Sequence, residues 1–190
     1  YMVEWLDEIE PEIRANTYRG YSGNVGNHIV PYFYPRRIKI QELKVSDLED
    51  FYKHLVFEKS KSDGSEPLSP TTITHIHRCI SKALNDAARK GIITVNVASL
   101  ARKPHSVKFK SQYLNERQVN ELLKTVKDTP IEVPVTICAV FGLRRGEVLG
   151  LKWKSVDMEN RTITISETLQ QHVGGSYTSP PKTESSYRTL

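Results

Sequence analysis

A chain of 190 residues has room for one or two domains of ordinary size, and 38% hydrophobic against 26% charged residues describes a globular protein that keeps company with water. No apolar run reaches the ~18 residues that cross a bilayer, and the acidic start (Glu4, Asp7, Glu8) lacks the basic-then-apolar order of a signal peptide. The net charge of +5 leans toward polyanionic partners, with acidic membranes the weaker option.

Residues 2–10 read as a short amphipathic helix with Val3, Leu6 and Ile9 on its apolar face. Asn16 or Thr17 can cap a second helix, in which Thr17, Tyr21, Val25 and Ile29 recur every four residues until Pro31 ends it. Gly20, Gly23 and Gly26 weaken that helix by roughly 1 kcal/mol each, an expense that close packing or the close approach of a ligand would offset. Residues 32–39 read as a turn. Ser46 to Glu49 has the order of a capping box, and Leu48, Phe51, Tyr52 and Leu55 follow at helical spacing.

After a polar loop over 59–68, Ser69 as cap and Pro70 at the first helical position open the clearest helix of the chain. Ile73, Ile76, Ile80, Ala83, Leu84 and Ala87 form its apolar face, and Gly91 stops it. The opposite face carries Thr71, His75, Arg78 and Lys82. Such a face is either simply solvated or laid against DNA, where arginine and lysine reach phosphates and base edges. His75 and His77 do not share a helix face, and no other cluster has metal-ligand spacing, so no metal site is expected. Cys79 and Cys138 stand far apart in apolar helical contexts and read as two buried free thiols, as suits a reducing compartment.

Residues 96–100 read as one short helical turn. Arg102, Lys103, Lys108 and Lys110 then make a stretch without acids, either a solvated linker or a segment that tracks a nucleic-acid backbone. A second domain opens with Asn115 and Gln118 in capping-box positions, flanked by Leu114 and Val119 as a staple. Val119, Leu122, Leu123 and Val126 form the core face of that helix, and a buried helix follows from 130–134 to Phe141. It stops at Gly142, and Arg144, Arg145 and Glu147 follow at once. Arginine is always charged and presents a planar fork that fits phosphate oxygens two at a time. If Arg144 lies in the first turn of the next helix, that helix N-terminus adds its own donors. Past Trp153 the period changes to two, so 161–166 is a strand, and turns around Gly174–Gly175 and Pro180–Pro181 punctuate further extended segments.

Three stretches together resemble the tyrosine recombinases, the phage-integrase family, in the manner of the integrases of conjugative transposons. They are Leu114-Asn115-Glu116; Gly142-Leu143-Arg144-Arg145-Gly146-Glu147 with Leu149 to Trp153, Val156 and Asp157; and Pro181-Lys182-Thr183-Glu184-Ser185-Ser186-Tyr187-Arg188-Thr189-Leu190. The resemblance implies a mainly α fold. A helical, SAM-like core-binding domain would span 1–101, a basic linker 102–112, and 113–190 would form the first half of an α+β catalytic domain with a small antiparallel sheet. It assigns Arg144 to the nonbridging oxygens of a scissile phosphate, Glu147 to the orientation of that arginine, and Lys182 to protonation of the departing 5′-oxygen.

The resemblance further implies double-stranded DNA as partner, cleavage through a 3′-phosphotyrosine, and a homo-tetramer on DNA. It calls for no metal, nucleotide cofactor, small-molecule substrate or membrane, and it places the protein in the bacterial cytoplasm. The histidine-containing box, the second catalytic arginine and the nucleophilic tyrosine of the family have no counterpart up to Leu190, and Tyr187 lies beside Lys182 rather than in the nucleophile's place. The chain by itself is therefore expected to bind DNA without cutting it. The rival readings are a DNA-binding regulator that keeps the recombinase fold and, more distantly, a helical protein-interaction module.

Overall fold

The computed structural model describes residues 1–57, 67–104, 110–172, 175–181 and 186–190. The polar loop over 59–66, the middle of the basic stretch with Lys108, the Gly174 turn and Lys182 lie outside the described residues. Two compact units are present, Tyr1–Phe109 and Lys110–Leu190.

In the first unit, α1 (Met2–Ile9) buries Trp5, Leu6 and Ile9. Val3, expected on that face, is exposed, because the buried stripe runs through Trp5 instead. α2 (Ala15–Asn24) begins beyond Arg14 with no side-chain cap, so neither Asn16 nor Thr17 takes that role. Pro31 does not end the helical path. A π-helical turn over Val25–Ile29 leads into α3 (Val30–Phe33), with Pro31 in its first turn. Proline there has no N–H to lose, and the widened turn before it relieves the clash of its ring with the preceding carbonyls. The segment read as a turn therefore starts as helix. Tyr32 is buried, with ring centroids 4.8 Å from Phe51, 4.9 Å from His54 and 5.0 Å from Phe33.

α4 (Val45–Phe57) buries Leu48, Phe51, Tyr52 and Leu55, as its spacing predicts. It starts two residues early, and the Asp47 carboxylate accepts the Lys44 N–H at 2.8 Å where a Ser46 cap was expected. α5 (Pro70–Arg89) follows the sequence closely. The Ser69 hydroxyl accepts the Thr72 N–H, all six expected apolar positions are buried, and Gly91 closes the helix at φ +71°. Trp5 Nε1 donates to Asp86 Oδ2 at 2.9 Å, tying α1 to α5. Asn96 caps the 3-10 turn Val97–Ser99 and donates to Ser81 O and Asn85 Oδ1, which docks that turn on α5.

In the second unit, α6 (Glu116–Thr125) opens with the full capping box, Asn115 and Gln118 exchanging bonds of 2.9 Å. α7 (Glu132–Phe141) and α8 (Arg145–Leu149) follow. β1 (Val156–Asp157), β2 (Thr162–Ile165) and β5 (Arg188–Thr189) form an antiparallel sheet in the order β1-β2-β5, and β3 (Thr168–His172) pairs with β4 (Gly175–Ser179) as a hairpin. Leu143, Val148 and Ile165 are buried together, against Ile137, Cys138, Leu151 and Ile163.

Four expectations fail here. α7 holds no buried residue, and of the α6 face only Val126, just past its end, is buried. Leu114 is exposed rather than stapled to Val119, and Cys138 is half-buried. An apolar run predicts burial only where elements exist on every side, and the described part of this unit supplies partners on one.

Gly146 and Gly150 sit where α8 meets β3. A Cβ on Gly150 would stand 2.8 Å from Leu169 N and 3.0 Å from Thr168 Cα, whereas one on Gly20, Gly23 or Gly26 would meet nothing within 4 Å. Close packing within the described unit thus does not account for these three glycines. Gly150→Ala is expected to destabilise the protein by about 1–3 kcal/mol through a backbone clash, and Gly23→Ala to stabilise it by about 0.5–1 kcal/mol by restricting the unfolded chain. Urea denaturation of the two variants checks this; the reverse order would rule out the α8–β3 contact as drawn.

Candidate functional site

The joint between α7 and α8 is built to present one arginine. Gly142 takes the left-handed conformation (φ 63°, ψ 29°), its N–H closing onto Cys138 O, and so turns the chain out of α7. Leu143 plugs into the small core. Arg144 then falls at the N-cap of α8, with extended backbone. Arginine has no acceptor with which to cap, so Glu147 alone closes the helix start, accepting the Arg144 N–H at 3.0 Å. The sequence allowed for Arg144 inside the first turn, strengthened by a helix dipole. It stands one position earlier, and α8 has only five residues, so the charge of the site is that of the guanidinium itself.

Glu147 is 2% exposed, yet its carboxylate is fully satisfied. Oε1 accepts Arg144 Nη1 at 2.9 Å and Arg188 Nη1 at 3.4 Å; Oε2 accepts the Arg144 N–H at 3.0 Å and Arg188 Nη2 at 2.9 Å. The bond from Arg188 first, then those from Arg144, hold its pKa down at about 2 against the burial that would raise it. Such a carboxylate stays ionised near neutral pH and is no proton donor there. The Arg144 side chain, by contrast, is 75% exposed, with one of its N–H groups spent on Glu147. Arg188 escaped the sequence reading as a member of this site. It lies 41 residues from Glu147, and no periodicity connects them.

The described part of the second cluster lies on α5. Thr71, His75 and Arg78 are exposed side by side, and Lys82 is half-buried with Nζ 3.5 Å from Asp86 Oδ2. Burial would raise the pKa of Asp86, but the Trp5 indole, Lys82 and Arg89 outweigh it and lower it. Lys103 joins Arg78, Ser81, Lys82 and Asn85 around a polar cleft that also takes in His77. Arg102 is anchored through its backbone, its N–H donating to Glu49 at 3.0 Å. Lys110 is exposed in the second unit.

His77, passed over as a non-ligand, is fixed by Tyr52, whose hydroxyl lies 2.8 Å from Nδ1. Burial pushes the Tyr52 pKa up, so the phenol keeps its proton. Burial, and after it Lys103 and Arg78, lower the pKa of His77, which favours the neutral imidazole at the edge of a basic cleft. Tyr52 lies on an apolar stripe read simply as core, which is why the pair was not legible. Among the described residues, no His/Cys/Asp/Glu group large enough to hold a metal occurs, and no helix is long and apolar enough to cross a membrane.

A carboxyl with a depressed pKa contributes stability above its unfolded value and loses it as pH falls, here between about 4.5 and about 2. Acid unfolding followed by circular dichroism is expected to steepen across that window. Glu147→Gln should lower stability at neutral pH and flatten this part of the curve. An unchanged acid limb in the variant would take Glu147 out of the explanation.

Comparison with known proteins gives this geometry its family. Residues 1–56 match the phage integrase N-terminal SAM-like domain and residues 112–179 the phage integrase family. An integrase of Saccharopolyspora erythraea is 26% identical over 90% of this chain and 38% of its own length, and the ICEBs1 integrase of Bacillus subtilis is 23% identical over 98% and 48%. The chain spans less than half the length of these curated relatives. Among solved structures, the Tn1549 transposon integrase in complex with transposon right end DNA superimposes with a TM-score of 0.75 at 24% identity, over 99% of this chain and 59% of that one. A lambda integrase tetramer bound to a Holliday junction gives 0.62 at 17%, over 93% and 49%. With both halves of the family's architecture matched in order along the chain, and with the fold shared, the chain belongs to the phage integrase, or tyrosine recombinase, family.

Proposed function

We propose that this chain is the DNA-gripping part of a site-specific recombinase that integrates or excises a mobile element, and that Arg144 binds the scissile phosphate. One observation carries the reading. A mostly exposed guanidinium is held from behind by a buried, ionised glutamate at the turn between two helices. That arrangement preorganises donors toward a phosphorane-like transition state without reorganising the protein. Lys182 would protonate the 5′-oxygen, and a tyrosine supplied outside the residues assigned here would form the 3′-phosphotyrosine. Tyr187 is not that tyrosine in our reading, so these 190 residues by themselves would bind and not cleave. The full enzyme would work as a tetramer on two DNA sites, as the multimeric lambda complex suggests.

The α5 face, with Thr71, His75, Arg78 and Lys82, and the basic stretch, with Arg102, Lys103, Lys108 and Lys110, would hold the duplex backbone. His77 would add a polar contact to a phosphate oxygen or a base edge at the rim of the same cleft.

Duplex binding by this chain is expected to weaken steeply with salt, with a log–log slope of several, and Arg78→Ala should reduce that slope by about 1. A flat slope, or no binding at low salt, would refute a nucleic-acid role. In a protein that carries this chain together with the nucleophile, Arg144→Lys should slow cleavage by about 10²–10³ while DNA affinity stays within about a few-fold, since a point charge replaces a fork. Parallel loss of binding and cleavage would make Arg144 structural instead.

A further inference from the structure

The phosphate-facing arginine is not the only arginine on Glu147. Arg188 on β5 makes the larger claim on that carboxylate, with two side-chain bonds to the one from Arg144. Four N–H donors meet the two oxygens, two from Arg144 and two from Arg188, which fills the acceptor capacity of a carboxylate. The two arginines differ in what is left over. Arg188 is 28% exposed, and its Nη1 also donates to Ser186 O at 3.3 Å, so its donors are turned into the protein. Arg144 is 75% exposed.

Charge arithmetic gives the difference a purpose. Two guanidiniums and one carboxylate leave the trio with one net positive charge. A carboxylate this far out of water must be compensated. If Arg144 were its only counter-ion, the strongest geometry would be the fork-to-fork pair, with Arg144 drawn inward, two of its donors consumed and the local charge cancelled. The position of Arg188 is set independently of Arg144, because β5 is paired with β2, where Arg188 stands opposite the buried Ile165.

We propose that Arg188 is a positioning residue for the phosphate site: by neutralising Glu147 from the sheet side, it leaves Arg144 anchored by a single side-chain bond and free to spend its charge on a phosphate. This rests on the phosphate role proposed above for Arg144. It also accounts for an arginine, rather than a lysine, at 188. Only a fork can reach both carboxylate oxygens from a fixed strand position while a third bond holds it to Ser186 O.

The test uses this chain, with inorganic phosphate as the probe and arginine side-chain NMR as the readout. In the wild type, the Arg144 Nε–H resonance is expected to shift on phosphate titration. In Arg188→Met, phosphate affinity at Arg144 should fall by about tenfold or more. The Glu147 carboxyl, followed by carbon NMR, should titrate at least about one pH unit higher. Arg188→Lys should fall between the two. A folded Arg188→Met with wild-type phosphate affinity and an unchanged Glu147 midpoint overturns the proposal. So does loss of the fold in both variants, since that makes Arg188 structural. A wild type whose Arg144 ignores phosphate would instead remove the phosphate role of Arg144, and the Glu147 midpoint would then decide by itself whether Arg188 sets the state of that carboxylate.

Discussion

A carboxylate removed from water is costly unless its charge is met and its lone pairs are filled, and the second unit is organised around one such group. Glu147 closes the start of α8, pins the guanidinium of the preceding residue and receives a strand from the far end of the chain. Local helix capping and long-range tertiary closure, which most proteins assign to different residues, are here one set of hydrogen bonds. The sheet is small and the apolar core smaller, so this polar knot takes a share of the cohesion that a larger domain would leave to hydrophobic burial.

The first unit solves the opposite problem. Its core is extensive, with Trp5, Phe51, Tyr52 and the α5 stripe all but inaccessible, and its polar centre, Asp86, sits at the rim. Asp86 draws on Trp5, Lys82 and Arg89 at once, which ties the basic face of α5 into the packing of α1. Lys82 is consequently a less available cation than Arg78, although both lie on the face that periodicity marks as polar.

What could be read from the residues was whatever local chemistry decides. Ser69-Pro70, the Asn115–Gln118 box, the six-residue stripe of α5 and the Gly142 stop are each set by neighbours in sequence, and each stands where its pattern puts it. Arg144 and Glu147, three residues apart, were legible as a pair for the same reason. Arg188, His77 bound to Tyr52, and Trp5 on Asp86 were not, because their partners are brought by the fold from 41, 25 and 81 residues away. The misread burial of α7 has a different origin. Hydrophobicity reports what a helix is able to bury, whereas burial depends on what is there to cover it.

The short helix α8 and the residue on either side of it leave the chain little freedom. Arg144 faces outward, Glu147 inward and Val148 into the core, while a methyl group on Gly150 would clash with the backbone of β3 and one on Gly146 would stand 3.1 Å from Leu169 O. Only Arg145 and Leu149 in this stretch present exposed side chains without such a duty. Natural variation across relatives should therefore be concentrated at these two positions. Drift in surface character would enter this segment by that narrow route, while its other residues change together or not at all.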